Sequence, residues 1–118
     1  MPEANLITED DKVILALIGW DAMLNSSEEN EMALKWLALA RAADGNAVDC
    51  IKAAFARGPL YDGDVPSKAG RDWCLEQGLI AKVIVRGEWG YNALTYKGAW
   101  VYKVLIAMGA EAPKKELS

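Results

Sequence analysis

Histidine is absent from this 118-residue chain, and cysteine occurs only twice. Without an imidazole the chain loses histidine-based acid–base catalysis near neutral pH and most zinc sites. Cys50 and Cys74 form no C-x-x-C pair, and two cysteines cannot build a disulfide scaffold of the small secreted kind. Both sit in apolar, helix-patterned contexts and read as buried, reduced thiols. Long apolar runs are missing too: stretches such as Val13–Trp20 fall far short of the roughly 20 residues needed to cross a bilayer. The start, Met1-Pro2-Glu3, is acidic and does not read as a signal peptide. The expectation is a soluble cytoplasmic protein with no membrane partner, no cofactor and no metal. What the chain has is 53% hydrophobic residues, enough for a core. Its length fits a single domain over 1–118. No internal repeat or low-complexity segment is visible.

Residues 1–10 are polar and read as frayed. Asp10 or Asp11 can cap a first helix whose apolar spacing (Val13, Ile14, Leu17, Ile18, Met23) carries it to about Leu24. Ser26 or Ser27 caps a second helix, with Glu28, Glu29 and Glu31 favoring the positive end of its dipole and Gly45 expected just past its end. Asn46 caps a third helix running from Ala47 to about Arg57, with Val48, Ile51, Ala54 and Phe55 on one side. Gly58–Val65 reads as a turn-rich connection around Asp62-Gly63. A fourth helix spans 66–77, with Pro66 preset for its first turn and Asp64 a candidate cap. Leu79–Arg86 is β-branched and partly alternating, and pairs through the turn Gly87–Gly90 with Tyr91–Thr95 as a hairpin. Thr95 caps a last helix to about Met108, and 109–118 reads as a loose tail.

The fourth helix leaves through Gln77-Gly78-Leu79-Ile80, and the hairpin leaves through Leu94-Thr95-Tyr96-Lys97-Gly98. Gly78 supplies the positive-φ exit, Leu79 and Leu94 point under the hairpin, and Thr95 supplies the cap oxygen. These two steps, in order around a glycine-bracketed turn, resemble the winged helix–turn–helix family of small prokaryotic and phage regulators over about residues 46–108. The resemblance implies a mainly α fold with a small β-hairpin, an α+β winged helix, flanked by N-terminal helices in 1–45 and a C-terminal helix. It also implies that 66–77 is the recognition helix and 86–91 the wing. The sequence departs from the family where large aliphatic residues are usual on the inner face of that helix. Here Gly70 and Cys74 stand there, with the bulk at Trp73, so the helix sits closer to its neighbors or tilts.

The net charge of −4 hides a partition. Residues 1–64 hold five basic against twelve acidic side chains, a net of −7, whereas residues 65–103 hold six against three, a net of +3. The basic surplus falls on the recognition helix and wing, where a polyanion contact would need it. Ser67, Lys68 and Arg71 at the helix start, and Lys82 and Arg86 sharing a strand face, are the candidate contacts to double-stranded DNA. Trp89, in the turn between Glu88 and Gly90, is a candidate contact to a groove or a partner. The helices Val13–Met23 and Trp100–Met108 are apolar on more than one side, which predicts a homodimer through them.

The sequence therefore predicts a DNA-binding transcription regulator. The alternative is a phage or mobile-element accessory protein that uses the same fold to bind and modulate a host protein through Trp89 and the acidic first half. An enzyme is disfavored: catalysis would fall to Asp62, Asp64 or Cys74, and Asp62-Gly63-Asp64 lacks the further ligands of a calcium loop.

Overall fold

The computed structural model describes residues 7–110, and comprises five helices and a small three-stranded antiparallel sheet. α1 spans Glu9–Leu17, α2 Ser27–Ala42 and α3 Gly45–Arg57. β1 (Leu60–Tyr61) and a 3-10 turn (Asp62–Asp64) follow, then α4 (Lys68–Glu76), β2 (Ile80–Val85), β3 (Glu88–Leu94) and α5 (Tyr96–Ala107). The mainly α, α+β expectation is met at that level. Residues 1–6 and most of the expected tail lie outside the described residues.

α1 is shorter than its apolar pattern predicts. Thr8, not Asp10 or Asp11, caps it, accepting from Asp11 N at 3.1 Å. Asp11 turns inward instead and pairs with Arg41 of α2 at 2.6 Å. The helix stops at Leu17 because Gly19 takes φ +85°. Gly19 N then donates to Ala16 O at 3.0 Å and Trp20 N to Leu15 O at 2.9 Å, the paired bonds of a glycine-terminated helix. Trp20 turns back onto Trp36 and Trp100, which stack at 4.6 Å.

Ser26 caps α2 reciprocally with Glu29, one of the two serines expected. The α2–α3 junction differs from expectation. Asp44 caps α3 through Ala47 N at 2.8 Å, so Gly45 opens that helix rather than closing α2, and Asn46 lies inside it. At α4 the cap is Ser67, accepting from Gly70 N at 3.0 Å, which leaves Pro66 outside the helix and Asp64 without a capping role. α4 lies close against the start of α3, as one of the two readings of Gly70 predicts. A Cβ on Gly70 would stand 2.4 Å from Asn46 O. Cys50 and Cys74 are buried, free thiols in the same contact; burial pushes Cys74 up to about 12.

The sheet has strand order β1-β3-β2. β1 lies inside the expected turn-rich connection, and its two residues are too few to show alternation. Leu60 pairs with Asn92 and Tyr61 with Tyr91. The hairpin turn is tighter than predicted. Arg86 and Gly87 alone form it, with φ of +52° and +80°, so β3 begins at Glu88 and Trp89 belongs to a strand. Leu79 is fully buried at the base of the hairpin, with Leu94 partly buried beside it. Thr95 caps α5 as expected, accepting from Gly98 N at 2.9 Å. α5 packs against α1, α2, α3 and β3, so the extra apolar width of its pattern is used within the chain: Val101, Tyr102, Val104 and Leu105 are all buried.

Candidate interaction surface

Of the predicted contact residues, α4 and the hairpin bring Arg71, Lys82 and Trp89 together around Asp62, but in altered roles. Ser67 has its hydroxyl engaged as the cap of α4. Lys68, at the first position of α4, is exposed, and so is Arg86 at the hairpin turn. Neither forms an ion pair among the described residues. Arg86 is the one non-glycine residue at positive φ among them, a conformation that costs a side-chain-bearing residue roughly 1 kcal/mol or more. Its place in the turn, together with the register shift between Val83 and Val85, separates it from the strand face it was expected to share with Lys82.

Arg71 and Lys82 are not free cations. Both hydrogen-bond to one carboxylate oxygen, Asp62 Oδ1: Arg71 Nη1 at 3.1 Å, and Lys82 Nζ in close contact. Asn92, buried in the middle of β3, donates to the same oxygen at 2.8 Å and to Leu60 O at 3.1 Å. Arg71 also grips Asp72, through Nη2 at 2.9 Å and Nε at 3.0 Å. The hydrogen bonds from Asn92, and then from Lys82, hold the Asp62 carboxyl well below its ordinary 3.8, at about 2. Two basic and two acidic side chains thus neutralize one another where a phosphate contact was expected. Asn92, and the role of Asp62 as its partner, escaped the sequence reading because the residues they bond lie 9 to 32 residues away. The Asp62-Gly63-Asp64 turn was visible, but what it points at was not.

Trp89 is the most exposed large apolar side chain on the sheet at 77%, and Ile84 follows at 50%. The register shift sets Trp89 and Gly90 opposite Ile84, a bulge that gives Gly90 its φ of +93°. The result is an open groove of about 710 Å³ lined by Asp62, Lys82, Val83, Ile84, Trp89 and Gly90. Its walls are aliphatic and aromatic, with one ion pair at the rim. A Cβ on Gly90 would stand 3.2 Å from the Tyr61 ring and 3.4 Å from Asp62 Oδ2, so glycine keeps that end of the groove open. Among the described residues, no group of three histidine, cysteine or acidic side chains could hold a metal ion, and no helix is long and apolar enough to cross a membrane.

No family model matches the chain, and neither a curated protein nor a solved structure does.

Proposed function

We propose that the chain is a binding module of winged-helix type whose hairpin engages a protein partner. The observation that carries this reading is Trp89, the second residue of β3, 77% exposed beside Ile84 over an apolar groove. Contiguous exposed aromatic and aliphatic surface of this kind is what a protein interface buries at its center. The winged-helix reading is supported by the order α3, β1, α4, β2, β3, α5 and by the glycine exit and threonine cap at either end of the hairpin. A pull-down from nuclease-treated lysate with wild type and Trp89→Ala tests the binding reading. The expected result is a partner retained by the first and lost by the second at unchanged melting temperature. Retention by both would remove Trp89 from the interface.

A second reading, double-stranded DNA, is favored by Lys68 and Arg86, which are exposed at the start of α4 and at the hairpin turn and form no ion pair among the described residues. It predicts duplex binding that falls steeply with salt and is lost in the double variant Lys68→Ala, Arg86→Ala. Arg71 and Lys82, held by Asp62 and Asp72, contribute less to such binding than their charge implies. The homodimer belongs here too. Val101, Val104 and Leu105 of α5 are covered within the chain, but Val13 and Leu17 of α1 remain 61% and 67% exposed, and we place the self-association face there.

A further inference from the structure

We propose that the open edge of β2 takes up an extended segment of a partner protein as a further strand, with an apolar side chain of that segment lying beside Ile84. This rests on reading the hairpin as a protein-binding surface, and names the backbone conformation that surface recognizes.

The strand register carries it. The order β1-β3-β2 leaves β2 paired on one side only. Thr95 N donates to Leu79 O at 3.0 Å, so Leu79 and Thr95 form a hydrogen-bonded pair at the base of the hairpin. Such pairs alternate along an antiparallel ladder. Ala81 and Val83 therefore bond to Ala93 and Tyr91, and the amide and carbonyl of Lys82 between them point away from β3. Val85 closes the two-residue turn against Glu88, so it faces β3 too, and the amide and carbonyl of Ile84 also point outward. No other backbone bond among the described residues engages Lys82 or Ile84. Outward amides and carbonyls at this spacing are complemented by the main chain of another strand, whereas a helix has spent its own groups internally. The edge also lacks the usual block, a charge standing over it. Lys82 is the one charged residue of β2, and its Nζ contacts Asp62, which follows β1 on the far side of β3. Its side chain thus leans across the sheet, while Ile84 stays 50% exposed. A second copy fits this edge poorly. Two-fold antiparallel pairing centered on Lys82 sets that lysine opposite its own copy, and pairing centered on Ile84 sets it opposite Arg86 of the second copy. Centering on Val83 sets it diagonal to both cations. A segment of another protein avoids that gathering of charge.

Panning a library of random linear peptides on the full chain supplies the probe, one enriched synthetic peptide whose complex is followed by NMR. Amide exchange at Lys82 and Ile84 should slow about tenfold on binding, while exchange at Ala81 and Val83, already bonded to β3, should change little. N-methylation along the peptide should weaken binding about tenfold at every second residue and little in between, the period of a paired strand. Ile84→Pro removes an outward N–H without touching the ladder to β3, and should abolish capture at unchanged melting temperature. If that variant unfolds, the methylation scan, which leaves the protein untouched, decides. Peptides that need Trp89 but show no two-residue period overturn the added strand and leave the hairpin reading standing. A two-residue period that survives Trp89→Ala keeps the added strand and removes Trp89 from the interface. Peptides with neither property overturn both. Protection of Lys82 and Ile84 that grows with protein concentration in the absence of peptide puts a second copy on the edge and overturns the proposal. No enrichment, or capture of mixed-sequence duplex DNA in place of peptide, overturns it as well.

Discussion

Asp62 shows how one side chain decides what its neighbors can do. One of its two oxygens gathers Arg71 from α4, Lys82 from β2 and Asn92 from β3, tying α4 to the paired strands. The depressed carboxyl fixes the sign of the pH response. A group whose folded pKa lies below its unfolded value stabilizes the fold above that unfolded value, 3.8 here, and loses the contribution as pH falls toward about 2. Melting temperatures of wild type should therefore drop more steeply through that window than those of Asp62→Asn, which cannot titrate. Gly70 makes the opposite case, a residue chosen for what it lacks. Alanine is the better helix former by roughly 1 kcal/mol, yet its Cβ would stand 2.4 Å from Asn46 O. Gly70→Ala should lower stability by about 1–3 kcal/mol in denaturant melts, the usual cost of forcing an atom into a packed contact. Sequence reasoning reached Gly70, because a glycine on the inner face of a helix has few other uses. It could not reach Asn92, whose one-residue signature is an ordinary polar position in a strand.

At the scale of elements, caps and exits were legible and lengths were not. Ser26 and Thr95 each announce a helix through a short, local spacing, and each sits where that spacing puts it. The failures have local causes as well. Gly19 ends α1 two residues after Leu17, although the apolar pattern runs on to Met23, because backbone conformation stops a helix before side-chain pattern does. Asp44 took the cap from Asn46, and Ser67 from Asp64, each by standing three residues before the amide it serves. β1 was missed because it has two residues and owes its existence to β3. Thr95 joins two elements at once. It caps α5 through Gly98 N at 2.9 Å, and its hydroxyl hydrogen donates to the carbonyl of Gly78, 2.7 Å away, at the exit of α4. Thr95→Ala should cost about 1–2 kcal/mol by thermal melting, and Thr95→Ser should recover most of it.

Over the whole molecule, the sequence conveyed the sign of each region better than the use of each charge. The acidic first half and basic second half are real features of the chain, but folding pairs Arg71 and Lys82 with Asp62, which belongs to the acidic half. A surface that read as a basic patch becomes a neutral rim beside an apolar groove. Partition along the chain cannot reveal this, because it takes no account of which residues meet across the fold. The width of α5 was likewise misleading, since α1, α2 and α3 cover it within one chain, while α1 keeps Val13 and Leu17 exposed. Leu17→Glu should convert a dimer into a monomer in sedimentation equilibrium without lowering the melting temperature of the protomer, and a wild type that sediments as a monomer would remove the dimer. The central claim, that the hairpin meets a protein, is tested most directly by placing a photo-crosslinking amino acid at position 89 and irradiating intact cells. The account predicts an adduct that resists nuclease and is destroyed by protease. An adduct to nucleic acid, or none at all, would contradict it.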